Sequence, residues 1–341
     1  MQNPPLSESA QAPTVSPATL RRRADPAAPP LLSIVVPFFN EQDGITHLHQ
    51  ALDAVRARLP DCRFEVLCVD DGSHDHTLAG LLALSRQDPR FEVIELSRNF
   101  GKEAALTAGI DAARGDAVIP IDADLQDPPE LILDMVAAWR SGADVVLARR
   151  SDRSTDSPLK RLTAAWFYRI NNLLSTIEIP DGVGDFRLMD RIVVDALGQL
   201  REQQRFMKGL FAWLGFRTVV LDYRRQPRAA GSSKFSGWKL WNFALEGITS
   251  FSSAPLKLWV YVGAVCALLT FAYALYIITR TLIRGVDVPG YASLLVAVLF
   301  FGSLQLISVG VLGEYIGRIY MESKRRPLYL VRQRYKRDAD A

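Results

Sequence analysis

Residues 117–130 read A-V-I-P-I-D-A-D-L-Q-D-P-P-E, an apolar run that ends in a cluster of carboxylates. The run Ala117–Ile121 has the length and the Val and Ile content of a short buried strand. Asp122 and Asp124 follow it directly, and the amide of Gln126 comes two residues later. Hard oxygen ligands of this kind suit Mg²⁺ or Mn²⁺. The stretch therefore predicts a metal site where a buried strand ends.

Strands and helices alternate on both sides of this stretch, from about Leu31 to Arg150. Short apolar segments rich in Val and Ile are separated by segments of helical character. This pattern predicts an α/β domain with an open, mostly parallel sheet and helices on both faces. The segments predicted as strands are Leu32–Pro37, Phe64–Val69, Phe91–Leu96, Ala117–Ile121 and Asp144–Ala148.

The helix that follows the acidic cluster has the clearest boundaries in the sequence. Asp127 is placed to cap it, Pro128 suits its first turn, and Glu130 stands at the capping-box position. Gly142 is placed to end it. The pattern predicts that the helix begins at about Pro128.

Polar residues follow four of the predicted strands. Each group alone would fit an ordinary turn, because Asp, Asn and Gly favour turns. In an open α/β sheet, however, ligands bind beyond the carboxyl ends of the strands. Four groups at corresponding ends therefore predict one ligand site, formed by Pro37 to Glu41, Asp70 to Ser73, Arg98 to Lys102, and Asp122 to Gln126.

Several functional classes lack their signals in this sequence. No G-x-G-x-x-G follows the first strand and no G-x-x-x-x-G-K-[ST] occurs, which disfavours a Rossmann dinucleotide site and a P-loop. A net charge of +3 over 341 residues gives no support for nucleic-acid binding. Three cysteines without a C-x-x-C pair indicate neither a disulfide framework nor a zinc site. The four histidines are interpreted as non-ligands: His47, His49, His74 and His76.

Two long apolar runs near the C-terminus predict a membrane hairpin. Leu258–Thr279 and Pro289–Gly313 are each long enough to cross the hydrocarbon core as a helix, although buried core helices are the alternative. The segment between them has few basic residues, whereas the segment after them is rich in Arg and Lys. The positive-inside rule then places both ends of the hairpin, and residues 1–255 with them, in the cytoplasm.

Six motifs follow one another along the chain: V-P-F-F-N-E at 36–41, V-D-D-G-S at 69–73, R-N-F-G-K at 98–102, D-A-D-L-Q-D-P-P-E at 122–130, G-D-F-R-L-M-D-R at 184–191 and R-A-A-G-S-S-K-F at 228–235. Together they resemble the inverting family 2 glycosyltransferases. Within that family the chain resembles the polyprenyl-phosphate group, which includes bactoprenol glucosyltransferases and dolichyl-phosphate mannosyltransferases. The resemblance implies a GT-A fold that binds a nucleotide-sugar.

The resemblance also implies roles for individual residues. Asp122, Asp124 and Gln126 would hold Mg²⁺ or Mn²⁺, and Asp124 and Asp185 would act at the reacting centre, Asp185 as a base or as a residue that positions the acceptor. The acceptor phosphate would be bound by Arg228, Ser232 and Lys234. The donor would be bound by Pro37, Phe39, Glu41, Val69, Asp71, Lys102, Asp122 and Ala123.

The expected organisation runs from a tail to a membrane anchor. Residues 1–30 are expected to be a disordered tail and 31–235 the GT-A domain, with an interfacial helix at 158–178. A second interfacial helix at 236–255 precedes two transmembrane helices within 256–316, and 317–341 is expected to be a basic cytoplasmic tail. Each interfacial helix could instead pack on the domain core or on another subunit.

The expected activity is transfer of one hexosyl group to undecaprenyl phosphate at the cytoplasmic face of a bacterial inner membrane. UDP-glucose is the expected donor, with UDP-GlcNAc, GDP-mannose or a UDP-aminoarabinose derivative as alternatives. A non-catalytic membrane scaffold is the alternative of a different class. The resemblance further suggests a homotetramer, and the chain is expected to bind a nucleotide-sugar, a polyprenyl phosphate and the membrane, but no nucleic acid.

Overall fold

The computed structural model describes residues 28–150, 183–200, 202, 207–223, 254–284 and 290–336. These residues form one sheet, helices on both of its faces, and two long helices near the C-terminus. The strands of the described residues are β1 (Leu31–Phe38), β2 (Arg63–Asp70), β3 (Phe91–Leu96), β4 (Ala117–Pro120), β5 (Val145–Arg150), β6 (Val183–Asp190), β7 (Thr218–Tyr223) and β8 (Val331–Tyr335). The helices are α1 (Ile45–Ala57), α2 (Thr77–Gln87), α3 (Lys102–Ala112), α4 (Leu131–Arg140), α5 (Arg191–Gln199), α6 (Met207–Trp213), α7 (Ala254–Arg284) and α8 (Tyr291–Ser323).

The predicted parallel sheet is confirmed, with one strand inserted against its direction. The strand order is β7-β5-β6-β4-β1-β2-β3-β8. The pairs β4-β1, β1-β2, β2-β3 and β5-β7 are parallel. Strand β6 lies antiparallel between β4 and β5, and β8 lies antiparallel against β3. The central part of the sheet is therefore the parallel core that the alternating pattern predicted.

Strand β1 shows why the sheet carries helices on both faces. Leu32, Ile34 and Phe38 pack into one core cluster, which also contains buried residues of α1, α2 and α4. Val35, between them in sequence, packs into the other cluster with residues of α3, α5 and α6. Successive side chains of a strand point to opposite faces, so a continuous apolar run supplies both cores at once.

The helix after the acidic cluster begins later than the capping pattern predicted. Helix α4 begins at Leu131, and its N-cap is Glu130 rather than Asp127. The amides of Leu131 and Ile132 instead donate to the carbonyls of Pro128 and Pro129, which form a turn before the helix. The predicted end is confirmed, since Gly142 follows the helix at φ +102°.

The segment expected to be a basic tail contributes to the fold. Helix α8 continues through Ser323, and residues 331–335 form strand β8 on the free edge of β3. Arg332 and the Tyr335 hydroxyl donate to the buried carboxylate of Glu95 at 3.0 and 2.8 Å. This part of the chain therefore pairs with the sheet. The backbone of β3 provides its ladder partners, and the buried Glu95 provides its charge partner.

The two long helices expose their apolar side chains. Leu269 in α7 and Leu306 in α8 are 63% and 74% exposed. Among the described residues, Phe300–Ser323 is long and apolar enough to cross a membrane, while the apolar stretch Tyr261–Tyr273 in α7 is shorter. The two predicted helices are thus confirmed as helices, but by length and composition one of them qualifies as a span.

Candidate active site

The predicted site residues between β1 and β6 meet at one edge of the sheet. Asp71 follows β2, Lys102 begins α3 after β3, and Asp122 follows β4. Asp185 lies in the first half of β6, and because β6 is antiparallel to β4, its start lies at the edge where β4 ends. Lys102 and Asp185 are 83 residues apart in sequence, and the fold brings them to hydrogen-bond distance.

Lys102 is the centre of this arrangement. Its amine lies 2.7 and 2.9 Å from the two carboxylate oxygens of Asp122 and 2.8 Å from Oδ2 of Asp185. Burial disfavours the charged amine, but the neighbouring carboxylates of Asp185 and Asp122 outweigh it, so the pKa of Lys102 is raised. The lysine is therefore a cation shared by Asp122, a predicted metal ligand, and Asp185, a residue predicted to act at the reacting centre.

Asp71 shapes the loop that carries Lys102. Its two carboxylate oxygens accept from the backbone amides of Phe100 and Gly101 at 2.8 and 2.9 Å. The side chain is buried, and burial raises its pKa despite these two hydrogen bonds. Asp71, which is predicted to bind the nucleotide-sugar, thus also has a structural role: it holds the loop immediately before α3.

Gly72, just after β2, lets the loop that carries Lys102 pack closely against the end of that strand. It has φ +69°, and a Cβ built there would lie 2.7 Å from the backbone carbon of Arg98. A larger residue would push the two loops apart and displace Lys102 from its carboxylates. The glycine of V-D-D-G-S therefore serves close packing of two site loops.

The residues predicted to bind the nucleotide base differ in accessibility. Phe39 is 43% exposed just beyond β1, and its ring makes an edge contact with His74. Pro37 is half-buried in β1, and Glu41 is exposed while its amide donates to Thr77 Oγ1 at 3.0 Å. The side chain of Val69 is fully buried in the core, so only its backbone could reach a ligand.

The acidic cluster after β4 fits a hard cation. Asp122 and Asp124 are half-buried, and an Asp124 oxygen accepts from the amide of Gln126 at 3.2 Å. The Asp122 carboxylate already lies against a cation, the amine of Lys102, and carboxylate oxygens are the ligands that Mg²⁺ and Mn²⁺ prefer. Ala123 and Gln126 are both buried. The role of the Gln126 side-chain amide as a metal ligand stays a prediction.

Arg187 is a site residue that the sequence reasoning missed. It is 2% exposed, and its guanidinium donates to the carbonyls of Gly184 and Asp185 at 2.6 and 3.3 Å. The guanidinium also lies 3.8 Å from the ring centroid of Phe211 in α6. Burial lowers its pKa to about 10, although Asp185 and Glu103 favour the charge. The signal that could have revealed it is an Arg flanked by the apolar residues Phe186 and Leu188.

A second acidic cluster lies at the opposite edge of the sheet. A nitrogen of His49 and carboxylate oxygens of Asp53 and Asp88 lie within 4.8 Å of one another. Arg90 donates to both carboxylates, 2.7 Å from Asp53. The guanidinium supplies positive charge to both carboxylates, and the interpretation of His49 as a non-ligand stays a prediction.

Other predicted features lie outside the described residues. These are most of the expected tail at 1–30, the residues proposed for the acceptor phosphate, and the two interfacial helices, of which only residues 254 and 255 are described, as the start of α7. They include Arg228, Ser232, Lys234, residues 158–178 and most of 236–255. Their roles stay predictions.

Two family models match the chain. Glycosyl transferase family 2 matches residues 33–198, which include the sheet edge from β1 to β6. The GtrB C-terminal hairpin matches residues 254–319, which include α7 and most of α8. The boundary between the two matches agrees with the division between the sheet domain and the long helices.

Relatives cover nearly the whole chain. An uncharacterized glycosyltransferase of Synechocystis sp. is 54% identical over 88% of this chain and 94% of its own length. The bactoprenol glucosyl transferase of Shigella phage SfV is 52% identical over 88% of this chain and 98% of its own length. A prophage bactoprenol glucosyl transferase homolog of Escherichia coli is 50% identical over 89% and 98%.

Solved structures are more distant. Mannosyl-3-phosphoglycerate synthase from Rubrobacter xylanophilus is 20% identical, with a TM-score of 0.43 over 64% of this chain and 72% of that chain. The expected GT-A architecture agrees with the observed sheet and with the matched family. From the motifs, the family model and the relatives together, the chain belongs to glycosyltransferase family 2 and is a glycosyltransferase.

Proposed function

We propose that this enzyme transfers one hexosyl group, with inversion, from a nucleoside diphosphate sugar to a polyprenyl phosphate at a membrane surface. The observation that carries the proposal is the edge where Lys102 joins Asp122 to Asp185, in a chain whose described residues include a helix long and apolar enough to cross a membrane. Relatives named bactoprenol glucosyl transferases support the polyprenyl acceptor and UDP-glucose as the first donor to test.

The donor half of the site would bind a nucleoside diphosphate. The exposed ring of Phe39 offers a stacking surface for the base, and the buried Asp71 holds the loop that places Lys102 near the diphosphate. A divalent ion held by Asp122 and Asp124, with Gln126 as a further ligand, would offset the charge that develops on the leaving nucleoside diphosphate. Lys102 would add a second positive charge beside it.

The acceptor half would need little proton transfer. A phosphate monoester has a second pKa of about 6, so it is already a nucleophile at neutral pH. Asp185 is held by the amine of Lys102 on its carboxylate and by Arg187 on its backbone carbonyl. We therefore assign Asp185 to positioning the acceptor and the sugar rather than to strong base catalysis. Arg228, Ser232 and Lys234 would bind the acceptor phosphate, because Arg and Lys beside small residues suit an anion.

The location follows from the long helices and the charge distribution. A multi-pass anchor formed by α7 and α8, with the catalytic domain in the cytoplasm of a bacterial cell, agrees with the basic segment after α8. Strand β8 then returns the chain from the membrane to the sheet edge. The catalytic edge would thus be kept close to the lipid headgroups, and a homotetramer is the assembly suggested by the resemblance.

A transfer assay tests the proposal. Purified protein in vesicles is given undecaprenyl phosphate and one labelled donor at a time: UDP-glucose, UDP-GlcNAc, GDP-mannose or a UDP-aminoarabinose derivative. We expect a lipid-linked monosaccharide from one donor, loss of product with EDTA, and loss of product in Asp124→Asn. Asp134→Asn, which removes an exposed carboxylate on α4, is the matched control.

Each outcome of this assay has a meaning. Product that survives EDTA would contradict the metal dependence, and a product chain longer than one sugar would contradict single transfer. No product with any of the donors, from protein that still binds nucleotide, would favour a non-catalytic scaffold.

A further inference from the structure

We propose that Lys102 is a built-in counter-ion that occupies the metal's place beside Asp122 until the donor arrives, and that it then moves its charge to the donor's diphosphate. This inference rests on the proposed function for one point, the assignment of Asp122 to the metal. It adds an order of binding: the divalent ion would enter with the nucleotide-sugar rather than alone.

The contacts of Lys102 carry the first step. Its amine touches both oxygens of Asp122, at 2.7 and 2.9 Å, so it lies across the face of the carboxylate that a metal would approach. The same amine is 2.8 Å from Asp185. A divalent ion on Asp122 and an ammonium group at these distances would repel each other strongly. Asp122 therefore cannot keep both partners in the same positions.

The mobility of the lysine side chain carries the second step. The Lys102 side chain is 45% exposed, whereas that of Asp185 is 15% exposed. The lysine belongs to the first turn of α3, and its backbone is held through the Asp71 contacts to Phe100 and Gly101. A long side chain on a fixed backbone can swing its charge by a few ångströms without moving the loop.

The charges of the edge carry the third step. Before a ligand binds, the amine offsets two carboxylates at once. A donor diphosphate brings further negative charge, so a metal and the lysine can then both be accommodated. A metal alone would have to displace the lysine from Asp122 while the lysine stays beside it on Asp185, and the repulsion between the two cations makes the lone metal a weak ligand.

Manganese binding without donor tests this exchange directly. Free Mn²⁺ is measured by electron paramagnetic resonance in a titration of the full chain in detergent, with and without UDP. For the native protein we expect weak binding that UDP strengthens. In Lys102→Gln we expect Mn²⁺ alone to bind about tenfold more tightly, because the variant removes a positive charge that repels the ion at contact distance. The gain from UDP should shrink accordingly.

Three variants separate this exchange from simpler explanations. Lys102→Arg keeps the charge and should keep weak, UDP-dependent binding. Arg58→Gln removes an exposed positive charge at the end of α1, outside the predicted site, and should change donor-free Mn²⁺ affinity by less than about twofold, because exposed charges are screened beyond contact distance. Asp122→Asn should abolish the gain that Lys102→Gln produces.

The result that overturns the inference is specific. If Lys102→Gln binds Mn²⁺ without donor no more tightly than the native protein, while its circular dichroism is unchanged, Lys102 does not exclude the metal. An equal gain in Arg58→Gln would also overturn it, because the effect would then be one of general charge. Tight Mn²⁺ binding in Lys102→Gln, together with no sugar transfer by the native protein, would contradict the proposed function and leave the inference standing.

Discussion

The two ends of the parallel strands use acidic residues in opposite ways. We call the side of the sheet where these strands begin its amino edge and the side where they end its carboxyl edge. At the amino edge, the buried Glu65 accepts from the Ser33 hydroxyl, from the Arg114 backbone and from the Arg114 guanidinium at 2.9 and 2.6 Å. At the carboxyl edge, Asp122 and Asp185 share the single amine of Lys102. The first edge surrounds one carboxylate with several donors, whereas at the second edge two carboxylates share one amine.

The pKa values show the same difference. Burial acts against ionisation of Glu65, but hydrogen bonds from Ser33 and Arg114 outweigh it and lower its pKa. Burial also acts against Asp70 and Asp71, and there it prevails and raises both pKa values. The amino edge thus stabilises the charge of Glu65, whereas the charges of Asp70 and Asp71 at the carboxyl edge cost free energy until a ligand binds.

The largest expected effect is on catalysis at the carboxyl edge. Asp122→Asn removes a metal ligand and a partner of Lys102, and we expect initial rates of transfer to fall about 1,000-fold. The fold should be unaffected, because Asp122 is not part of the core. The measurement is the labelled-lipid assay with circular dichroism as the check on folding. A loss of less than about threefold would contradict the assigned role.

The matched change at the amino edge should affect stability instead. Glu65→Gln breaks an ion pair between a buried carboxylate and an exposed guanidinium, and we expect the free energy of unfolding to fall by about 2 kcal/mol. Urea unfolding followed by tryptophan fluorescence measures it. The rate per folded molecule should stay within about twofold of native, since Glu65 is remote from the reacting edge. Loss of activity from fully folded Glu65→Gln would remove the distinction between the edges.

The same residue predicts a pH dependence. Because the folded-state pKa of Glu65 lies below its ordinary value of 4.5, its contribution to stability is complete above about pH 4.5 and is lost as the pH falls through the folded-state pKa. The difference in free energy of unfolding between the native protein and Glu65→Gln should therefore shrink as the pH is lowered from 5 toward 3, at up to about 1.4 kcal/mol per pH unit. A gap that stays constant over this range would contradict the lowered pKa.

The smallest expected effect has the opposite sign and lies at the carboxyl edge. Asp70 is buried, one of its oxygens accepts no hydrogen bond from the described residues, and Glu95 on the neighbouring strand repels its charge. Asp70→Asn should raise the free energy of unfolding at pH 7 by about 1 kcal/mol.

Acid should remove this gain. The folded-state pKa of Asp70 is raised, so below its ordinary value of 3.8 the native side chain is protonated in both states and the variant has no advantage. Urea midpoints at pH 7 and at pH 3.5 measure the difference. Destabilisation at pH 7 would show that the Asp70 charge supports the fold.

Much of this structure was predictable because it follows from local pattern. The five strands predicted between Leu31 and Arg150 all form, within one or two residues at each end in most cases. Apolar runs with polar ends report burial and strand ends directly. The start of α4 was predicted wrongly, because Pro128 and Pro129 form a turn first and leave Glu130 as the cap.

Other features depend on partners that are distant in sequence. Nothing near residue 331 indicates that a basic segment will pair with β3, since its partner Glu95 is 237 residues away from Arg332. Arg187 likewise gains its role from Phe211 and from the carbonyls beneath Asp185. Local composition cannot report such pairs, because their energies depend on positions that the folded sheet creates.

The sequence by itself determined which residues are chemically able to bind a diphosphate, a metal and a membrane, since charge, hard oxygen ligands and apolar length are properties of the residues. Only the tertiary structure decided that one amine would lie between Asp122 and Asp185, because that requires β6 to insert antiparallel beside β4. An ion pair exists where the fold brings charges within a few ångströms, and the distance along the chain does not determine that.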